Sequence, residues 1–196
     1  MTTSPSQRER MLGGELYLAN DPELNAARRR ARELLARFHQ AAPEDFAERQ
    51  AVLGQLFGAL GTGTLINPTL RCDYGFNVFI GRNSFFNFDC VLLDCNRIDV
   101  GDDVQVGPGV HIYTATHPMD AATRRAGYER ALPVRIGSGV WLGGRTVVCP
   151  GVTIGDHTVV GAGSVVVRSL PPNVFAAGNP CKVIRPLDTR GAAAAA

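Results

Sequence analysis

His117 stands in the run Tyr113-Thr114-Ala115-Thr116-His117-Pro118, at a point where an otherwise regular pattern of aliphatic residues breaks off. An unperturbed imidazole has a pKa near 6.5, which suits it to take a proton from a hydroxyl at neutral pH. A base of this kind needs a partner to fix its tautomer. Glu129 lies in the same interruption of the pattern and is the candidate for that role. His111 sits six residues before His117 on the same outward register and reads as structural. His39 and His157 have no motif around them. Late in the chain, Arg168, Lys182 and Arg185 form a basic set suited to phosphate oxygens. The five cysteines are odd in number and contain no C-x-x-C pair, so neither a disulfide framework nor a zinc site is indicated.

The elements that must hold these groups show a strict rhythm. Ile136, Leu142, Val148, Ile154, Val160 and Val166 are six residues apart and all aliphatic. Two residues before each stands Val134, Val140, Thr146, Val152, Thr158 or Ser164, all small or β-branched. Glycine follows at 137, 143, 155 and 161. A helical period of 3.6 loses this register, whereas a strand period of two divides six evenly. The pattern predicts short strands separated by tight corners, repeated along the chain. Tyr74, Ile80, Phe86 and Leu92 continue it upstream; after a slip of two residues come Val100, Val106 and Ile112. Residues 113–133 carry no repeat signal. A long excursion on a rigid scaffold is where a functional loop is expected.

Residues 1–62 read as a helical segment. Asp21-Pro22 is a helix start, followed by Leu24, Ala27, Ala31, Leu34, Leu35 and Phe38 at helical spacing. Arg28, Arg29, Arg30 and Arg32 fill the positions between and read as a solvated face. A second start at Ala42-Pro43-Glu44-Asp45 predicts a helix with Phe46, Leu53, Leu56, Phe57 and Leu60 as its stripe, ending at Gly61. Residues 63–186 form the repeat domain with a closing segment after Pro171-Pro172, and 187–196 read as a disordered tail. Net charge is +2, so composition does not point to nucleic acid. No apolar run suits a membrane span, and Met1 to Arg10 lacks the apolar core of a signal peptide, so a cytoplasmic protein is expected.

Several motifs extend beyond the rhythm. Gly14-Glu15-Leu16-Tyr17, Arg71-Cys72-Asp73-Tyr74-Gly75, Asn87-Phe88-Asp89-Cys90, the His111 to Pro118 run and Ala177-Gly178-Asn179-Pro180 together resemble the maltose O-acetyltransferase family, whose near relatives are galactoside and nodulation-sugar acetyltransferases. The resemblance implies a left-handed parallel β-helix of hexapeptide repeats behind an α-helical N-terminal segment. It implies a homotrimer with sites between subunits, acetyl-CoA as donor and a sugar as acceptor. It assigns His117 the catalytic base, and Asp73, Asn87, Asp94 and Arg28 the acceptor. A family acceptor aspartate falls on Ala19, with Asp21 nearby. The resemblance assigns Gly144, Ala162, Val167 and Arg168 to the coenzyme, with Val167 where threonine is common and Gly144 where some relatives have serine. A backbone N–H in the Leu142-Gly143-Gly144 corner is its oxyanion donor. The acceptor implied is glucose, maltose or a related sugar, with a galactoside, serine or a xenobiotic alcohol as alternatives for the same chemistry. A metal-dependent carbonic anhydrase on the same repeat is the reading of another class. It needs a third histidine beside His111 and His117, so no metal is expected.

Overall fold

A computed structural model of the chain describes residues 4–42 and 44–188. The repeats form a three-faced solenoid of parallel strands. The first face stacks Ala59–Leu60, Val78–Ile80, Ile98–Val100, Val134–Ile136 and Thr153–Ile154. The second stacks Leu65–Ile66, Phe85–Phe86, Gln105–Val106, Trp141–Leu142 and Val159–Val160, and is closed by the hairpin Val174–Ala177 and Lys182–Pro186. The third stacks Leu70–Cys72, Cys90–Leu93, His111–Tyr113, Val147–Val148 and Val165–Val166. The first of these strands, Ala59–Leu60, begins ahead of residue 63, where the shift in composition puts the start of the repeats.

Each rhythmic aliphatic residue points inward and lies directly over its equivalent one coil away. Leu142 pairs with Val106 on one side and Val160 on the other. Ile136, Leu142, Val148, Ile154, Val160 and Val166 are all buried in one continuous core. The residue two places earlier shares that face, and where it carries a hydroxyl the group is satisfied at the corner. Thr146 Oγ1 donates to the Gly143 carbonyl at 2.7 Å, and Thr158 Oγ1 to the Pro171 carbonyl at 2.8 Å. Small β-branched residues there fill the angle of the triangle without leaving a polar atom unpaired.

The coils are not of one length. Leu142 and Val160 are eighteen residues apart, but Leu60, Ile80 and Val100 stack at intervals of twenty. The extra pair lies each time at the edge between the third and first faces. Cys72 to Ile80, and Leu92 to Val100, span eight residues instead of six. At the next coil the same edge opens into the excursion between Ile112 and Ile136. The rung residue of the first coil is therefore Cys72, over Leu92, and not Tyr74 as the rhythm predicts. Tyr74 is fully buried in a second cluster with Met11, Tyr17, Leu24, Cys95 and Ala131.

The N-terminal helices cover this enlarged edge and one end of the solenoid. Helix α1 (Gln7–Leu12) starts on a capping box in which Ser6 and Glu9 exchange hydrogen bonds. Helix α2 (Pro22–Gln40) is capped by Asp21, whose carboxylate accepts from the Glu23 and Leu24 N–H groups. It buries Leu24, Ala31, Leu34, Leu35 and Phe38, with Ala27 half-buried. Helix α3 (Phe46–Leu56) starts on Asp45 and stops at Phe57, four residues before Gly61, where the sequence pattern puts its end. Leu60 belongs to the first strand instead, and Phe46 is 60% exposed. A short helix, α4 (Ala121–Arg125), lies in the excursion. Of the expected tail, 187–196, residues 189–196 lie outside the described part, while the Leu187 N–H bonds the Asn173 carbonyl.

Two predictions follow from the packing. At the edge between the first and second faces, glycines 61, 81, 101, 137 and 155 stack on one another. A Cβ on Gly101 would lie 2.6 Å from the Ser138 backbone nitrogen, so two coils would have to separate. Gly101→Ala should therefore destabilise the protein by about 1–3 kcal/mol, the usual cost of overpacking, read as a lower unfolding midpoint in denaturant. The second concerns Asp94, which is fully buried at the enlarged edge. Burial pushes its carboxyl up to about 6 from an ordinary value of 3.8, against hydrogen bonds from backbone N–H groups and reinforced by Asp73. The folded state thus binds this proton more tightly than the unfolded chain. The stabilisation is complete below about pH 4 and is lost as pH rises through 6. Relative to Asp94→Asn, the wild type should lose about 3 kcal/mol between pH 4 and 7. Parallel pH profiles for the two proteins would count against this.

Candidate active site

The excursion is organised by a small antiparallel sheet. Ala115–Thr116 pairs with Tyr128–Ala131, which pairs in turn with Tyr17–Leu18 from the N-terminal segment. Thr116 lies opposite Arg130 in the last pair of this ladder, and His117 follows directly after it. Glu129 is itself opposite Tyr17. Directly opposed residues of an antiparallel sheet project on the same side, so Glu129 and Tyr17 stand side by side. The Tyr17 hydroxyl donates to Glu129 Oε2 at 2.8 Å. Burial is the main reason the Tyr17 phenol is shifted upward, so it stays a donor. Among the described residues no hydrogen bond joins His117 to Glu129. His117 is exposed and lines a cleft of about 710 Å³ with Thr116, Pro118, Arg10 and the turn Gly13–Leu16.

Asp73 lies near Glu129 but on the solenoid itself. Its Oδ2 accepts from the Cys95 thiol at 3.4 Å. Burial raises its pKa, opposed by the Cys95 hydrogen bond and by Arg28. Arg28 is held by three acceptors: the Tyr74 hydroxyl at 2.6 Å, the Ala19 carbonyl at 2.5 Å and Asn25 Oδ1 at 2.6 Å. Asp73 and Arg28 line one groove together. Asp94 is placed differently from an acceptor contact. Its carboxylate accepts from the backbone N–H groups of Asp73, Tyr74 and Asn77, at 3.0, 2.8 and 3.4 Å. It holds the two-residue enlargement in shape and thereby aims Asp73.

Two of the expected coenzyme positions fall on the edge between the second and third faces. Gly144 and Ala162 are one coil apart there, with the Gly163 N–H on the Gly144 carbonyl at 2.9 Å. Asn87 shares the edge and lines a small cleft with Gly144, Pro108 and Trp141. Its Oδ1 accepts from the Phe88 N–H at 2.9 Å, leaving its amide hydrogens as donors. Val167 and Arg168 follow the last strand of the third face and are exposed. The closing hairpin brings Lys182 alongside, because the Cys181 N–H bonds the Val165 carbonyl at 2.8 Å. Arg185 lies over the Phe175 ring at 5.8 Å. Within one protomer, then, the positions divide among three places: His117 in the excursion cleft, Asp73 with Arg28 under α2, and Asn87 with Gly144 on another edge.

Two features escape a sequence reading. The Tyr17–Glu129 bond joins residues 112 apart, and only the strand pairing reveals it. Asn96 is likewise central, its amide donating to the carbonyls of Met11, Leu12 and Ala131 and so tying α1 to the excursion. The Ser6-x-x-Glu9 capping box was the available signal for α1. Among the described residues, no three His, Cys, Asp or Glu side chains stand close enough to hold a metal ion, and no helix is long and apolar enough to cross a membrane.

Residues 10–61 match the family model described as the maltose acetyltransferase hexapeptide capping motif, and residues 133–168 match six repeats of the bacterial transferase hexapeptide. Nodulation protein L of Rhizobium meliloti is 46% identical over 178 residues, covering 91% of this chain and 97% of that protein. The crystal structure of a maltose O-acetyltransferase from Clostridium difficile superposes with a TM-score of 0.93 at 44% identity, over 95% of this chain and all of that one. A hexapeptide-repeat acetyltransferase of Vibrio cholerae, solved in complex with acetyl coenzyme A, gives 0.87 at 38% identity, over 94% of this chain and all of that one. Capping helices, coil register and whole-length identity agree, and the chain belongs to the maltose acetyltransferase-type hexapeptide-repeat acetyltransferases.

Proposed function

We propose that this protein moves the acetyl group of acetyl-CoA to the primary 6-hydroxyl of glucose, maltose or a related sugar, in one direct step. The observation that carries the reading is that the strand bearing the Tyr17–Glu129 hydrogen bond pairs with the strand that leads directly into His117. A carboxylate pinned by a buried phenol is a fixed partner for an imidazole across the strand. It sets the tautomer and favours the imidazolium that forms when His117 takes the hydroxyl proton. The freed sugar oxygen attacks the thioester carbonyl, and coenzyme A leaves as the thiolate, which the same proton neutralises.

Asp73 would accept from ring hydroxyls, with Arg28 fixed beside it, and Asn87 would donate through its free amide. Asp94 acts on the acceptor through Asp73, whose backbone it holds. On the edge between the second and third faces, Gly144 and Ala162 would line the pantetheine arm, where small residues leave coil-edge backbone groups open, and Val167 would meet it at the far end of the third face. Arg168, Lys182 and Arg185 would meet the phosphates. The Gly144 corner would offer a backbone donor to the developing oxyanion.

The separation of these places within one protomer supports a homotrimer in which each site is completed by a neighbour. Outward residues of the second face also support a covered surface: Phe85, Trp141 and Phe175 stand on it, Trp141 at 55% exposure.

His117→Ala should leave the fold intact, since the side chain is exposed, and lower turnover about 10²–10⁴-fold. Near-normal turnover in a properly folded variant would remove His117 from the mechanism. The acceptor is tested by following thiol release from acetyl-CoA with glucose, maltose, a galactoside, 6-deoxyglucose and serine. Glucose or maltose is expected to lead and 6-deoxyglucose to fail. Equal rates with glucose and 6-deoxyglucose would exclude the primary hydroxyl, and serine as the best acceptor would exclude a sugar enzyme.

A further inference from the structure

Helix α2 carries five arginines, and most are accounted for within the fold. Arg28 is held by three acceptors. Arg30 donates to the Gln55 carbonyl at 2.7 Å, and Arg37 pairs with Glu48 at 2.9 Å. Arg32 differs. Among the described residues it makes no hydrogen bond or ion pair, and neither does Arg71 on the facing edge of the solenoid. Both line the groove of about 480 Å³ that runs between α2 and the third face.

The rest of the lining explains what such a groove is suited to hold. Leu35, Leu70, Val91 and Leu93 give it apolar walls. His39 closes one side, and its Nε2 accepts from the Leu70 N–H at 3.2 Å. The ring proton therefore sits on Nδ1, and the neutral imidazole adds a donor. Three arginines line the groove against a single carboxylate, Asp73. Arg28 and Arg32 both lie near enough to pull that carboxyl's pKa down. Guanidinium groups on an apolar wall, with no internal partner, match the planar oxygens of a phosphate or carboxylate. Asp73 at the same time accepts hydroxyls. One groove thus offers a hydroxyl acceptor and an anion clamp side by side.

We infer that this groove takes an acceptor that is itself anionic, a sugar bearing a phosphate or carboxylate, with Arg32 and Arg71 as the donors to that group. The inference rests on the reading of the chain as a sugar acetyltransferase, because Asp73 and Arg28 line the same groove. It narrows the acceptor class beyond the neutral sugars of the proposed function.

The test uses the intact protein and three acceptors with a free primary 6-hydroxyl: glucose, glucose 1-phosphate and gluconate. At least one anionic acceptor should show a KM about 10-fold below that of glucose, the worth of one charge-assisted hydrogen bond. Arg71→Gln and Arg32→Gln should each bring that ratio toward one. Arg29→Gln, on the same helix but outside the groove, should preserve it. Calorimetric titration with glucose 1-phosphate and gluconate, without acetyl donor, reads the groove by binding alone. Binding that Arg71→Gln abolishes would uphold the anion site even if no sugar is acetylated, which separates its fate from that of the transferase reading. Anionic acceptors that neither bind nor react better than glucose would overturn the inference. So would an Arg71→Gln variant whose KM rises for acetyl-CoA instead, since the groove would then belong to the coenzyme.

Discussion

Everything in this molecule depends on coil stacking directly on coil. An inward side chain must lie over its equivalent in the next coil, and the backbone hydrogen bonds of each face run only between coils. No coil can be satisfied alone, as its N–H and C=O groups point along the axis and need neighbours. The core consequently tolerates no local change of period on a face. A single inserted residue would turn a strand's buried side chains outward. Insertions are confined to the edges, and there only where the glycine column is not required.

That restriction explains where the candidate site residues sit. One edge carries the glycine stack, and its coils are in backbone contact. A second edge keeps six-residue spacing and offers a smooth strip with Gly144 and Ala162. Only the third edge is enlarged, by two residues in each of two coils and then by the whole excursion. Asp73, Asp94, Cys95, His117 and Glu129 all belong to it. The extra residues bring polar groups that a tight corner has no room for, and these must be satisfied. Asp94 satisfies three backbone N–H groups, and Asn96 satisfies three carbonyls across α1 and the excursion. The same buried network that makes the enlargement stable also fixes the direction of Asp73 and the position of the small sheet carrying His117.

Much of this was legible in the residues. The six-residue period predicts the core almost position by position, because a strand packed in a repeating coil has little freedom in what it buries. The interruption at 113–133 marks the excursion for the same reason. The slip of two residues after Leu92 was visible too, but its meaning was not. Counting from Tyr74 puts that residue on the wrong side of an enlarged edge, and only the pairing of Cys72 with Leu92 corrects the frame. Helix α3 illustrates a different limit. Its apolar residues continue past Leu56 because Phe57 and Leu60 enter the solenoid, and a run of apolar residues does not say which element buries them. The partner of Glu129 and the buried role of Asp94 depend on contacts between distant segments. One charged residue next to another in sequence gives no sign of whether it faces solvent, ligand or backbone.

The N-terminal segment follows from the same constraint. A solenoid has an open first coil whose strand edges and apolar interior would face water. Here α2 and α3 cover that end, with Leu34, Leu35, Phe38, Val52, Leu53 and Leu56 joining the coil core. Capping alone requires only an apolar face. The segment does more because its start, α1 with Tyr17–Leu18, reaches across the enlarged edge and becomes the outer strand of the excursion sheet. Tyr17 thereby links the cap to Glu129. The group that closes the end of the solenoid is also the group that orders the loop bearing His117. A change in how the cap seats on the first coil would move the strand opposite Glu129, and the strand that leads into His117 would move with it. In this chain the stability of the cap and the geometry of the site are one property.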